Sequence, residues 1–123
     1  MAPEEAGNPM PHKLVENTIP VLTVSSLERS VEFYQRVLGF AVEWNAGPIC
    51  SVGRDGSSIM LQEQDGPNPG TVWVGLDGDS LIQSVEHSGA EVLQAPSNKP
   101  WAYEMKIADP DGNTIWLGAE PKS

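Results

Sequence analysis

Asp55-Gly56-Ser57-Ser58-Ile59-Met60-Leu61 and Asp111-Gly112-Asn113-Thr114-Ile115-Trp116-Leu117 are two copies of one pattern. Asp, Gly, Ile and Leu are identical at matching places, and Ser58 answers Thr114. A second pair lies upstream of each copy: Leu27-Glu28-Arg29-Ser30-Val31-Glu32 and Leu81-Ile82-Gln83-Ser84-Val85-Glu86, which share Leu, Ser, Val and Glu. Two matches in the same order at nearly the same offset mark an internal duplication. The halves divide at Gln64-Asp65-Gly66-Pro67-Asn68-Pro69-Gly70, whose glycines and prolines read as a loop.

Each half carries the same order of elements. Ile19–Val24 is an apolar, β-rich run and reads as a strand. Ser25 then reads as a helix N-cap, with Glu28 three residues later completing a capping box. Leu27, Val31, Tyr34 and Leu38 recur at helical spacing, and Gly39 stops the helix. Strands follow at 40–44, 49–53 and 58–62, with Asp55-Gly56 as a tight hairpin turn. The second half repeats this with a strand at 71–76 and a helix near 80–88, capped by Asp77 or Asp79 and stopped at Gly89. Strands at 91–94, 102–108 and 114–118 complete it. The expected fold class is α+β: two tandem βαβββ modules forming cupped mixed sheets, each covered by one helix. Module one is placed at 14–63, the loop at 64–70 and module two at 71–120, one domain in all. Residues 1–13 read as a tail or arm, with Met10 an alternative start.

Composition narrows the function. The 123 residues suffice for one domain, and 39% of them are hydrophobic. No apolar run approaches the ~20 residues of a membrane span. The N-terminus lacks a secretion pattern, so the expected location is cytoplasmic. Seven basic against seventeen acidic residues give a net charge of −10. Such a chain lacks the cations that nucleic acid or an anionic membrane surface requires, and attracts cationic ligands. The single cysteine, Cys50, permits no internal disulfide and reads as a small core residue. His12 in the tail and His87 on the second helix supply no catalytic constellation.

Several segments carry a resemblance. Ile19-Pro20-Val21-Leu22-Thr23-Val24, Ser30-Val31-Glu32-Phe33-Tyr34 and Leu38-Gly39-Phe40 resemble the opening of the vicinal-oxygen-chelate superfamily, also called glyoxalase/bleomycin resistance protein/dioxygenase. Pro100-Trp101 through Asp109-Pro110-Asp111-Gly112-Asn113 resemble its closing motif. The likeness runs from about Leu14 to Glu120. Within it, Trp73-Val74-Gly75-Leu76-Asp77 and Lys99-Pro100-Trp101 are most similar to bleomycin-resistance proteins. Ala102-Tyr103-Glu104-Met105 departs from the Gly-Arg-Glu-Phe usual there. The resemblance implies an acidic homodimer, independent of metal and other cofactors, that sequesters a cationic antibiotic.

Enzymes of this superfamily hold a divalent metal with His or Glu on the first and last strands of each half. The repeat places those positions at Ile19, Met60, Thr71 and Trp116. Alkyl, indole and a lone hydroxyl are not ligands for such an ion, and thioether suits copper(I). No bound metal is expected. The inner face is instead apolar and aromatic. Alternation turns Ile19, Val21, Thr23, Met60, Gln62, Thr71, Trp73 and Trp116 inward, with Trp44, Trp101 and Tyr103 extending the platform. Trp73 and Trp116 suit stacking on a flat aromatic ligand. Glu104 and Lys106 read either as cleft charges or as a cross-strand salt bridge. The leading expectation is a non-enzymatic binder of an aromatic, cationic small molecule, with antibiotic sequestration its sharpest form. Its rivals are a glyoxalase-like lyase, an epimerase or a dioxygenase of the same fold, a metal-free enzyme using Glu63 or Glu104 as base, and an accessory domain with a vestigial cleft.

Overall fold

The computed structural model describes residues 13–123, so the tail, Met10 and His12 lie outside the described residues save for Lys13. Module one contains β1 (Val21–Val24), α1 (Leu27–Leu38), β2 (Ala41–Ala46), β3 (Ile49–Arg54) and β4 (Ser57–Glu63). Module two contains β5 (Thr71–Gly75), α2 (Ser80–Glu86), β6 (Glu91–Asn98), β7 (Tyr103–Ala108) and β8 (Thr114–Ala119). Each module makes one four-stranded sheet, in the orders β1-β4-β3-β2 and β5-β8-β7-β6. The first strand of each module runs parallel to its last, and the other pairings are antiparallel. The duplicated sequence therefore gives a duplicated topology.

Period-2 alternation separates two faces on the central strands. Leu22, Val24, Ile59, Leu61, Val72, Ile115 and Leu117 are buried on the helix side. One apolar cluster joins them to Leu27, Phe33, Tyr34, Val37 and Leu38 of α1 and to Ile82 and Val85 of α2. Cys50 belongs to the same core, as expected.

Local chemistry differs from expectation at several ends. The N-cap of α1 is Ser26, not Ser25: the Ser26 hydroxyl accepts from Arg29 N (3.2 Å). The Ser25 hydroxyl donates instead to Asp111 (2.7 Å) in the other module. Leu27 N, a free donor in the first helical turn, is met by Glu63 Oε2 (3.2 Å). Glu63 thus lies toward the helix, on the opposite face from Met60. At the other end, Gly39 has φ of 70° and closes α1 with bonds to Gln35 O and Tyr34 O. A side chain there would also collide with Arg54. Arg54, exposed at the end of β3, donates through Nη1 to Leu38 O (2.9 Å). In module two, Asp79 is the N-cap of α2 but makes no side-chain capping bond; it pairs with Lys122. His87 is exposed at the C-cap of α2, and its ring meets Gln83 O. β1 begins at Val21, so Ile19 precedes the strand. β6 runs past Pro96 to Asn98, since an edge strand tolerates a residue without N–H.

One polar turn fastens the modules. Asp109 Oδ1 accepts from Asp111 N and Asn113 N (both 2.9 Å). Its Oδ2 accepts from the Tyr34 hydroxyl (2.9 Å) and Asn113 Nδ2 (2.9 Å). Asn113 also donates to Thr23 O (3.0 Å) and accepts from Gly70 N (2.8 Å). The turn between β7 and β8 is thereby bonded to β1, α1 and the connecting loop. Burial, then the Asp109 charge and hydrogen bond, push the Tyr34 phenol far up, so it remains a donor. The matching turn in module one is only Asp55-Gly56, both with positive φ, a type I′ hairpin. Asn113→Ala leaves Thr23 O and Gly70 N without their partner and is expected to cost about 3 kcal/mol in urea denaturation. Tyr34→Phe, which removes one bond to a charged acceptor, is expected to cost about 2 kcal/mol.

Candidate functional site

The helix-free face of module two is aromatic. The parallel ladder between β5 and β8 sets Trp73 beside Trp116. Their rings meet edge to face, 5.2 Å between centroids at 85°, a favourable arrangement for aromatic quadrupoles. Gly118 makes room for the Trp73 ring; a Cβ there would overlap the indole. The Lys106 ammonium stands 4.6 Å from the Trp116 ring centroid, a cation–π contact.

Glu104 organises this surface from beneath. It is 1% exposed. Its Oε1 accepts from Trp101 Nε1 (2.6 Å) and Trp116 Nε1 (3.0 Å), and its Oε2 from Gln94 Nε2 (2.9 Å). Burial pushes its carboxyl up, but the bonds from Gln94, Trp101 and Trp116, with the Lys106 charge, outweigh that and hold it below the usual carboxylate range. Glu104 and Lys106 share the face of Trp116, through the pairs Glu104–Gly118 and Lys106–Trp116, but the expected salt bridge is not among the ion pairs of the described residues: Glu104 binds two indoles and an amide. A lowered, fully engaged carboxylate is also the opposite of what a general base needs.

Trp73 (49% exposed) and Trp101 (63% exposed) are open to solvent. They share an open basin of about 490 Å³ with Gly118 and Asp77. Trp73 also borders a cleft of about 340 Å³ at the seam of the modules, lined by Ile19, Phe40, Ser58 and Val72. Ile19 and Trp73 thus meet at one cleft, and Trp73 and Trp101 at a second. Thr71 is two residues before Trp73 on the same strand and face, paired with Thr114.

The remaining expected residues lie on the first sheet. Met60 pairs with Val21, and Gln62 with Thr23. Trp44 is exposed on β2, opposite Ser51. Sequence reasoning passed over Glu43, which lies on this face as well. Its Oε1 accepts from Ser51 Oγ (2.8 Å) and Ser58 Oγ (2.7 Å). β2 is exposed at every residue, so no burial alternation distinguished Glu43 from a solvated edge position.

The ladders test the fit of a divalent metal directly. They set Met60 against Val21 and Trp116 against Trp73, with Ile19 ahead of β1 and Thr71 at the start of β5. None of these is an imidazole or carboxylate, and the carboxylate of Glu104 is committed to three donors. The residues present do not fit such an ion.

Glu104 ties its stability to pH. With its carboxyl lowered in the fold, its contribution is present above the ordinary carboxylate pKa and lost as pH falls through the folded value. Glu104→Ala, which strands three donors, is expected to lower stability by about 2 kcal/mol at pH 7. The gap from wild type should close as the solution is acidified below that folded value, as read by denaturation at a series of pH values.

No curated sequence matches the chain. A bleomycin resistance determinant encoded on the transposon Tn5 superposes with a TM-score of 0.76 at 18% identity, covering 86% of this chain and 98% of that one. TnmS3, an antibiotic binding protein from Streptomyces sp. CB03234, gives 0.71 at 23% identity, covering 89% and 99%. TioX from Micromonospora sp. ML1 gives 0.72 at 19% identity, covering 85% and 99%. At these identities the likeness speaks to the fold. A family model described as the Glyoxalase/Bleomycin resistance protein/Dioxygenase superfamily matches residues 18–117. That span is most of the 123-residue chain, and the chain belongs to this superfamily.

Proposed function

We propose that the protein is a non-catalytic binder of small molecules that captures a flat, aromatic, cationic compound on the helix-free face of module two. A bleomycin-type antibiotic is the sharpest form of this reading. The observation that carries it is the Trp73–Trp116 pair, which occupies the face where metal-dependent members need ligands and whose Trp116 is held by the carboxylate of Glu104. Fixed indoles offer contact area at little entropic cost. Among the solved structures of similar fold, one is described as a bleomycin resistance determinant and another as an antibiotic binding protein, which supports the class of ligand. The −10 charge adds long-range attraction for a cation.

The cleft of this reading is completed by a second copy of the chain. Val21, Trp44, Trp73 and Trp101 are exposed in a single chain, and exposed apolar side chains on the open faces are what a second copy would cover. No helix among the described residues is long and apolar enough to cross a membrane. A homodimer is expected by light scattering at micromolar concentration, and a strict monomer counts against an interfacial cleft.

Tryptophan fluorescence titrated with metal-free bleomycin tests the ligand. Saturable quenching near one ligand per chain is expected, with affinity falling at least tenfold in Trp116→Ala. Added salt should slow association more than it speeds dissociation. A flat titration of the wild-type protein rejects the antibiotic.

A further inference from the structure

The helix-free face of module one carries an anion that the aromatic platform does not use. The register of β2 slips between Val42 and Trp44, so one residue, Glu43, is extra to the ladder. Such a bulge re-aims side chains. Here it brings Glu43 and Trp44 together opposite Ser51. Ser51 pairs in turn with Met60, and Met60 with Val21, so the bulge opens onto the same face as those residues.

The carboxylate is held in one pose. Ser51, which is 1% exposed, and Ser58 both donate to Oε1 (2.8 and 2.7 Å). Oε2 lies over Gly53, where any Cβ would overlap it. Oε2 makes no hydrogen bond among the described residues. The Ser58 and Ser51 bonds hold the carboxyl below its ordinary range despite a small opposing effect of burial, so it is ionised at neutral pH. The four ion pairs among the described residues are Arg29–Asp111, Arg36–Glu32, Arg54–Asp55 and Lys122–Asp79. None of them neutralises Glu43. The next residue, Trp44, also opposite Ser51, is exposed.

A fixed, uncompensated carboxylate with one free oxygen, next to an aromatic face, is the complement of a planar cation. The carboxylate accepts its N–H donors, and the indole meets its charge. We infer that Glu43 and Trp44 form an anchor for the cationic end of a ligand, an amidinium or guanidinium carried on an aromatic body. The inference rests on the proposed binding function but locates the cation on module one, apart from the stacking surface of module two. It also replaces diffuse attraction by net charge with a contact at a stated atom.

The probe is benzamidine, an aromatic amidinium, with benzamide as its neutral isostere, titrated into the ¹⁵N-labelled protein and followed by two-dimensional NMR. Benzamidine is expected to move the Trp44 indole N–H and the Ser51 and Gly53 amides saturably, and benzamide to leave them in place. Glu43→Gln keeps an acceptor for both serines and removes the charge. It should weaken benzamidine at least tenfold with no change in Tm. Ser58→Ala, which frees the carboxylate from one half-buried donor, should weaken it a few-fold. Wild-type affinity in Glu43→Gln, equal shifts by benzamide, or still signals with benzamidine would each overturn the anchor. A parallel titration with metal-free bleomycin separates the two readings. Binding of benzamidine without bleomycin retains the anchor and rejects the antibiotic, and the reverse rejects the anchor alone.

Discussion

The buried carboxylate of Asp109 is the interaction on which the arrangement of the two modules depends. An ionisable group removed from water needs several donors around it. Here they come from its own turn, from Tyr34 of α1 and from Asn113, which itself reaches β1 and the connecting loop. The groups are mutually dependent: each satisfies a neighbour that would otherwise be an unpaired polar atom in the interior. The apolar core supplies the bulk of the driving force but no fixed relation between the sheets, because hydrophobic contact is non-directional. The turn supplies the direction.

Much of this was legible in the sequence. The repeat of Asp55–Leu61 in Asp111–Leu117 gave away the tandem architecture, and alternation along those segments separated core from open face. The ends of elements were harder to read, for physical reasons. Ser25 and Ser26 have equal capping chemistry, and only the competing bond from Ser25 to Asp111, contributed from the other module, decides between them. The guanidinium of Arg54 finds the carbonyl of Leu38 because the β3–β4 hairpin folds back on the end of α1. The site divides in the same way. The aromatic residues on β5 and β8 followed from period 2, but the bond partners of Glu104 did not. Two of the three are Trp101, in the loop before β7, and Gln94, on an irregular edge strand, where spacing carries no register. Glu43 was hidden by a bulge, a feature set by pairing rather than by local pattern.

The two open faces of one chain differ in character. Module two presents three indoles, of which Trp101 and Trp116 have their N–H groups already spent on an internal anion. Module one presents an anion with one oxygen spent on serines and the other unspent. Both use a carboxylate and neighbouring donors, but the burial differs, and burial decides whether the charge works on the protein or on what approaches it.

The unequal turns have a consequence for inheritance. Two bodies need few polar joints, and this chain has concentrated them at Asp109–Asn113. The counterpart at Asp55-Gly56 carries no such duty, and beside it the seam cleft stands open along β5. A gene that duplicates a module can therefore commit one copy of a turn to holding the pair together and release the other. In descendants of such a gene, change at the released turn alters the rim of a cleft while the fold is retained, so new ligands can be sampled there.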